Sequence, residues 1–199
     1  MRFTLRALFA LMIAGAALTS CNKDDDDDDS SPENYFMYDG KTYELTQGFI
    51  ENYGEWEPGV YNLDLTLMSS GFTVNMTNGQ IDEITGTGNA LYFEMYTSDS
   101  TKLDNRTYTF DEMSTANGTF DIGFLGINFS IANQTGTQHV VTGGTVTVNK
   151  SGSTYTITWD LTDEGGKKVT GKFKKSLTLV NVDWKSPESK AEYRMFPVE

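Results

Sequence analysis

The sequence has one cysteine and one histidine in 199 residues. A single thiol excludes an internal disulfide, and a single histidine excludes a site built on two imidazole ligands. Any histidine-based acid–base catalysis would have to use His139, which has no acidic neighbour in the sequence. Zinc-type ligand spacing, a GxSxG elbow and a phosphate-binding glycine loop are also missing. The residues therefore predict no catalytic site, no metal site and no cofactor.

Basic residues are scarce as well. The chain has 15 Lys and Arg against 28 Asp and Glu, a formal net charge of −13. Proteins that bind nucleic acids do so largely through clustered Lys and Arg, so this composition excludes a nucleic-acid partner. Small neutral, cationic or sugar-like partners stay open, and solubility alone also explains an acidic surface.

Only the N-terminus contains a long apolar run. Arg2 and Arg6 precede apolar residues 7–18, which are too few for a stable membrane-spanning helix of about 20 residues. A basic start, a short apolar stretch and small residues before a cleavage point are typical of a secretory signal. Residues 1–20 are therefore predicted to be a signal peptide.

The signal ends at the single cysteine. Leu18-Thr19-Ser20-Cys21 resembles the lipobox of bacterial lipoproteins. The resemblance implies cleavage before Cys21, followed by attachment of diacylglycerol to its thiol and an acyl chain such as palmitate to the new N-terminus. Several acyl chains hold a protein on a membrane stably, at about 0.8 kcal/mol per buried methylene.

An acidic segment follows the cysteine, and residues 21–33 are predicted to form a flexible tether. Adjacent carboxylates repel one another and bury no apolar area, so this segment stays solvated. Its charged residues are Lys23, Asp24, Asp25, Asp26, Asp27, Asp28, Asp29 and Glu33. Cys-Asn-Lys followed by aspartates resembles the export signal of Bacteroidota surface lipoproteins. That resemblance implies a protein anchored in the outer membrane and facing the cell exterior.

Residues 34–199 are predicted to form one all-β domain. Alternating apolar and polar residues recur between turns rich in Gly, Asn and Asp, and no window has helical periodicity with caps. Asp39-Gly40 predicts a tight hairpin, and the region from Gly143 to Val180 predicts a three-stranded meander. About nine or ten strands in an antiparallel, meander-rich barrel or sandwich are expected, with a lipocalin-like order favoured.

Two segments alternate strictly, Val60–Ser69 and Asn89–Thr97. Such alternation predicts strands with one buried and one solvated face. The C-terminal meander, with Arg106–Phe110 upstream, looks like a recurrent domain of poorly characterised Bacteroidota surface lipoproteins. This resemblance implies an anchored β domain and assigns no activity to it.

Aromatic residues give the candidate ligand site. Tyr53, Trp56 and Tyr61 cluster around Gly54, Pro58 and Gly59, in a segment predicted to be a loop. Aromatic side chains on loops of a β scaffold are typical of ligand sites, and the alternative is that they plug one end of the fold. Trp159 is predicted to lie in the core, and Trp184 to pin the C-terminal segment to the body.

One modification is predicted besides the lipid. Asp99-Ser100-Thr101 resembles the short O-glycosylation motif of exported Bacteroidota proteins, which implies a glycan on Ser100.

These observations favour a non-enzymatic module that binds a nutrient, glycan or small cofactor at the cell surface. The alternatives are a structural or adhesive surface component, an accessory subunit of an outer-membrane protein assembly, and, third, a glycan hydrolase. A hydrolase would need two close carboxylates, which sequence cannot pair. The acids that could supply them are Asp82, Glu83, Glu94, Asp111 and Glu112.

Overall fold

The computed structural model describes residues 32–182, and all regular structure in this range is β. The strands are β1 (Tyr35–Tyr38), β2 (Lys41–Glu44), β3 (Gln47–Glu57), β4 (Val60–Met68), β5 (Phe72–Thr77), β6 (Gln80–Thr97), β7 (Arg106–Phe110), β8 (Thr119–Ser130), β9 (Thr135–Ser151), β10 (Thr154–Asp163), β11 (Lys168–Lys175) and β12 (Thr178–Asn181). The all-β prediction is confirmed. No helix among the described residues is long and apolar enough to cross a membrane.

The tight hairpin that Asp39-Gly40 predicts at the start of the domain is confirmed. Asp39 and Gly40 join β1 to β2 with φ angles of 51° and 72°. Two consecutive residues with positive φ define the turn whose twist matches that of paired strands, and Gly accepts this conformation without strain.

The strands form one curled sheet, a half-barrel. The sheet has twelve strands, whereas nine or ten were expected. Their order is β12-β3-β4-β6-β8-β7-β9-β10-β11-β1-β2, with β5 paired to β6 and an additional β8–β9 pairing. The prediction of a purely antiparallel sheet is wrong, because β12 pairs with β3 and β7 pairs with β8 in parallel. In each parallel pairing one strand is short, β12 with four residues and β7 with five, and such a short pairing leaves no local signal in the sequence.

Two short connections bring the ends of the sheet together. Residues 45–46 join β2 to β3, and residues 176–177 join β11 to β12, although these strands lie near opposite ends of the hydrogen-bonded order. Since two linking residues span about 10 Å at most, the two ends must meet at one corner. Lys175 Nζ donates to Thr46 O at this corner, 3.0 Å away.

The inner face of the sheet holds the main hydrophobic core. Leu63, Leu65 and Leu67 of β4 pack in one cluster with side chains from β1, β6, β8, β9, β10 and β11, including Trp159. The predicted inward positions of the C-terminal meander are confirmed, since Ile157 and Leu161 are fully buried. The inner face is therefore filled by the protein's own side chains.

The outer face of β3, β4, β6 and β8 is buried as well. Asn62, Asp64 and Thr66, which alternate with the core leucines, have no exposed surface. Tyr92 and Glu94 of β6 are only 0% and 2% exposed. The prediction of a solvated face on Val60–Ser69 and Asn89–Thr97 is thus wrong. A second hydrophobic cluster lies on this outer face, formed by Phe49, Met68, Phe72, Ala90, Tyr92, Phe124, Phe129 and Val180.

Candidate functional site

Three carboxylates lie side by side on the outer face. Glu51 of β3 is directly opposite Asp64 of β4, which is directly opposite Glu94 of β6. Directly opposed residues have Cβ atoms about 5 Å apart. The exposed fractions are 2% for Glu51, 0% for Asp64 and 2% for Glu94. These residues are called the carboxylate row below.

Glu51 receives hydrogen bonds from two side chains of the same face. Thr66 donates its hydroxyl to Glu51 Oε1 at 2.9 Å, and Tyr53 donates its hydroxyl to Glu51 Oε2 at 3.2 Å. Thr66 lies two residues after Asp64 on β4, so strand alternation places both side chains on the same face, next to Glu51. Both oxygens of this carboxylate are therefore held in place.

Asp64 is held in the same way at the centre of the row. Asn62 donates from Nδ2 to Asp64 Oδ1 at 2.9 Å, and the Tyr92 hydroxyl donates to Asp64 Oδ2. Asn62 Nδ2 also lies 3.3 Å from Met95 O, while Asn62 Oδ1 is buried with no hydrogen-bond partner among residues 32–182. Buried side-chain acceptors are usually hydrogen-bonded, so Asn62 Oδ1 is an exception within this network.

Glu94 shares a donor with a fourth acid. The Tyr96 hydroxyl lies 3.1 Å from Glu94 Oε1 and 2.9 Å from Asp121 Oδ2. Burial, together with the negative charge of these two carboxylates, raises the pKa of Tyr96 far above its usual value. Tyr96 therefore stays protonated and remains a donor at any physiological pH.

The structure brings two of the three predicted ligand-binding aromatics to this face. Tyr53 contacts Glu51, and the half-buried Trp56 ring lies 6.3 Å from the Tyr96 ring, centroid to centroid. Tyr61 alternates with Asn62 and so faces the opposite side of β4. The loop prediction for this segment is wrong, because β3 and β4 extend through it and only Pro58 and Gly59 form the turn.

The row itself was missed by the sequence interpretation, although a signal exists. No lysine, arginine or histidine occurs between Lys41 and Lys102, so β3, β4, β5 and β6 carry no basic residue. Polar side chains at alternate positions looked like an ordinary solvated face. Only the register, which aligns Glu51, Asp64 and Glu94, reveals the concentration of negative charge.

Chemically, this face suits positive charge. Carboxylates recognise ammonium and guanidinium groups through charge-assisted hydrogen bonds, and aromatic rings attract the same cations. Of the acids considered for hydrolysis, only Glu94 belongs to the row, while Asp82, Glu83, Asp111 and Glu112 are exposed.

A second polar cluster surrounds His139. Its Nδ1 lies 2.9 Å from Glu164 Oε1 and 3.6 Å from Asp163 Oδ2, and its Nε2 lies 3.0 Å from the Tyr38 hydroxyl. His139 lies within β9, whereas Asp163 ends β10 and Glu164 follows in the turn, so their proximity could not be predicted from adjacent residues. Ligand atoms of His139, Asp163 and Glu164 lie within 4.8 Å of one another, close enough to hold a metal ion.

The carboxylates and the imidazole of this cluster are already hydrogen-bonded to neighbouring groups of the protein. The Tyr38 hydroxyl donates to Asp163 Oδ2 at 2.7 Å, and the Gly165 and Lys167 amides donate to Asp163 Oδ1. Burial opposes ionisation of Asp163, but these hydrogen bonds outweigh it and hold its pKa below the usual value. The cluster ties β1 and β9 to the β10–β11 turn.

The remaining predicted sites lie in a loop or outside the described residues. Ser100 is half-buried in the loop between β6 and β7, as expected, and its carbonyl accepts a hydrogen bond from Asn52 Nδ2 at 2.9 Å. Its glycosylation stays a prediction. Cys21, the segment from Lys23 to Asp29, and Trp184 lie outside residues 32–182.

No family model, curated protein or solved structure matches this chain.

Proposed function

We propose that this chain is an outer-membrane-anchored surface lipoprotein whose β domain is a non-catalytic binding module for a small, positively charged ligand. The lipid on Cys21 and the acidic tether place the domain outside the cell. The outer face of β3, β4, β6 and β8 recognises the ligand through the carboxylate row and the neighbouring aromatic rings.

The buried acidic row is the observation that supports this proposal. Glu51, Asp64 and Glu94 stand opposite one another on three neighbouring strands, so negative charge is concentrated on this face, and carboxylates bind ammonium and guanidinium groups through charge-assisted hydrogen bonds. Binding sites in proteins depend on polar groups whose orientation is fixed in advance by neighbouring side chains. Here hydroxyls fix the carboxylates: those of Thr66 and Tyr53 donate to Glu51, and that of Tyr92 donates to Asp64. An amine-bearing nutrient or cofactor fits this chemistry better than a neutral sugar.

The packed inner face favours an outer site over an internal one. Side chains from most strands of the half-barrel meet in a single cluster on the inner face. A lipocalin-like closure around a ligand stays a prediction that this packing does not favour.

Isothermal titration of the purified chain with cationic, neutral and anionic probes tests the ligand class. Putrescine, choline and arginine methyl ester are expected to bind with affinities that weaken as salt increases, whereas glucose, N-acetylglucosamine and acetate give no heat. Glu94→Gln should lower the affinity about tenfold, and the exposed control Glu44→Gln should not change it. Flat titrations for every cation, or equal binding by both variants, would reject the ligand class.

The anchor is tested separately in cells. The native protein should begin at an acylated Cys21, and Cys21→Ser should leave the membrane fraction. Replacing Asp24 to Asp29 with serines should keep the protein in the membrane but remove its cleavage by externally added protease. An unmodified thiol with the leader still attached would overturn the localisation.

An exposed sheet edge favours a structural role as the second candidate. Within the described part of the chain, β2 pairs with β1 alone, so its other edge has unpaired backbone groups. A strand from a partner protein could extend the sheet there. Pull-down from solubilised outer membranes tests this, since a stoichiometric partner lost upon Thr42→Pro substitution would favour assembly over ligand capture.

A further inference from the structure

We propose that His139, Asp163 and Glu164 bind a divalent transition-metal ion, with Zn²⁺ the best match, through His139 Nδ1 and one carboxylate oxygen of each acid. One imidazole nitrogen and two carboxylate oxygens form a ligand set that Zn²⁺ accepts. This metal site is separate from the proposed ligand site, because its residues belong to β9, the end of β10 and the turn that follows, whereas the carboxylate row belongs to β3, β4 and β6.

The three side chains are spaced for one metal ion. His139 Nδ1 lies 2.9 Å from Glu164 Oε1 and 3.6 Å from Asp163 Oδ2. One ligand atom from each residue lies within 4.8 Å of the other two. Zn²⁺ binds nitrogen and oxygen at about 2.0–2.2 Å, so neighbouring ligand atoms of a tetrahedral site are about 3.4 Å apart. The two distances from Nδ1 fall on either side of this value, so small side-chain rotations would complete the site.

Hydrogen bonds hold each of these side chains by its other polar atom. His139 Nε2 lies 3.0 Å from the Tyr38 hydroxyl. Glu164 Oε2 accepts from the Val140 amide at 2.7 Å, and Asp163 Oδ1 accepts from two amides of the β10–β11 turn at 2.9 and 2.7 Å. Asp163 is also only 2% exposed. Outer hydrogen bonds of this kind orient the ligands of metal sites, and here they leave Nδ1, Oδ2 and Oε1 to converge.

The hydrogen atoms around His139 leave its Nδ1 without a proton when the imidazole is neutral. The Tyr38 hydroxyl has one hydrogen atom and donates it to Asp163 Oδ2 at 2.7 Å, because an ionised carboxylate can only accept. Towards His139 Nε2 the same hydroxyl oxygen must therefore accept, so Nε2 carries the hydrogen. A neutral imidazole has a single N–H, so its Nδ1 presents a lone pair to two carboxylate oxygens.

A cation must therefore lie between these atoms, either a second proton on His139 or a metal ion. A proton on Nδ1 reaches Glu164 Oε1 at 2.9 Å, but Asp163 Oδ2, at 3.6 Å, is beyond hydrogen-bond distance. A metal ion bonds all three atoms at once. Within residues 32–182, His139 is the only basic residue paired with these acids, since the neighbouring Lys167 pairs with Asp39 at 3.1 Å. The geometry thus favours the metal ion.

The site is open enough for an ion to enter from solution. The side chains of His139 and Glu164 are 23% and 47% exposed. Three protein ligands leave one position of a four-coordinate ion for water, as in open zinc sites. The bound ion would join β9 to the β10–β11 turn, so it would stabilise the folded chain in proportion to the metal concentration.

The single histidine makes the ligand atom directly measurable. In ¹⁵N NMR spectra of the full mature chain, prepared without a histidine tag, one equivalent of ZnCl₂ at pH 7 should shift the Nδ1 signal of His139 strongly. The Nε2 signal should remain that of a protonated nitrogen. Imidazole signals that ZnCl₂ leaves unchanged, with both nitrogens protonated, would show that a proton fills the position and would overturn the proposal.

Calorimetry with ZnCl₂ tests the two partly exposed ligands. The parent for this comparison has serine in place of Asp24 to Asp29, so that the tether contributes no binding. His139→Gln and Glu164→Gln should each lower the zinc affinity at least tenfold, while the exposed control Glu112→Gln leaves it unchanged. ZnCl₂ should also raise the Tm of the parent but not that of His139→Gln. Equal binding by the parent and His139→Gln would mean an adventitious ion only and would overturn the proposal.

Tyr38 is a positioning residue of this site, and its role is tested by the same spectra. Tyr38→Phe removes the acceptor for the Nε2 hydrogen, so the metal-free imidazole should lose its preference for the tautomer protonated on Nε2. The zinc affinity should fall about tenfold, as is typical when an outer hydrogen bond to a ligand is lost. Tyr43→Phe is the matched control and should change neither the tautomer nor the affinity. An unchanged tautomer and affinity in Tyr38→Phe would contradict the proton assignment on which the site depends.

Discussion

Replacing Tyr92 with phenylalanine removes one hydroxyl from the centre of the carboxylate row and nothing else. Tyr92 is fully buried, donates to Asp64 Oδ2, and its ring packs 5.4 Å from that of Phe124. Because the ring remains, no cavity of more than one oxygen is created. A hydrogen bond to a charged group contributes about 1.5–3 kcal/mol net. We therefore expect Tyr92→Phe to lower the free energy of unfolding by about 2 kcal/mol.

The assay is urea unfolding followed by tryptophan fluorescence, with Tyr43→Phe as the matched control. The half-buried Tyr43 ring stacks on Phe36 at 4.9 Å, but its hydroxyl makes no hydrogen bond with residues 32–182. The control should change stability by less than about 0.5 kcal/mol. For a domain of this size, 2 kcal/mol corresponds to a fall in Tm of about 4–8 °C.

A double-mutant cycle with Asp64→Asn isolates the interaction itself. If the hydroxyl stabilises the carboxylate, Tyr92→Phe should cost at least about 1 kcal/mol less in the Asp64→Asn background than in the parent. Additive effects, or a Tyr92→Phe cost no larger than that of Tyr43→Phe, would refute the assignment of the row as a network of mutually stabilised side chains.

Three further predictions concern backbone strain and protonation. Gly144→Ala should lower the free energy of unfolding in urea by roughly 2 kcal/mol or more, because the φ angle of Gly144 is +110° and the added Cβ would lie 2.2 Å from the carbonyl oxygen of Asp160. Gly143→Ala is the control and should leave stability unchanged, since a Cβ at Gly143 would meet no atom within 4 Å. Asp163→Asn should be less stable than the parent at pH 7, because the folded state lowers the pKa of Asp163 and so favours its charged form. This stabilisation is present above the pKa of the unfolded chain, near 3.8, and is lost as the pH falls through the pKa of the folded state. Unfolding curves measured at decreasing pH should therefore show the stabilities of the two proteins converging in acid. Burial raises the pKa of Tyr108 and Tyr155 to about 12. Their protonated hydroxyls therefore stabilise the folded state fully below pH 10, and this stabilisation is lost as the pH rises towards 12. Absorbance should show that these tyrosines ionise later than exposed ones, and a single transition near pH 10 in the folded protein would contradict this.

The parts of the fold that could be predicted from sequence are those decided by neighbouring residues. Alternation located β4, β10 and β11, and Asp39-Gly40 located the first hairpin, because side-chain direction and turn conformation depend on a few consecutive residues. The parallel pairing of β12 with β3 could not be predicted, since it joins segments about 130 residues apart through backbone groups that every residue has.

The candidate site depended on similarly distant relations. Tyr53 and Trp56 were identified by residue type, but their acidic surroundings arise from the register of three strands. The polar side of β4 has the composition of a solvated face, and only packing on the outer side makes Asp64 a buried group. The acids near His139 likewise come from a turn more than twenty residues later.

The position of β1 has a consequence for how this domain reaches its native state. Tyr35, at the start of β1, stands opposite Lys172 of β11 in the antiparallel register, roughly 135 residues later in the chain. Contacts between such distant residues slow folding, because a long loop must close before they are formed. A chain that emerges N-terminus first therefore holds its opening hairpin without its partner strand until almost the whole polypeptide is available. Synthesis or translocation that stops before β11 would leave the hairpin as an unprotected strand pair, a target for proteases and for other exposed strands.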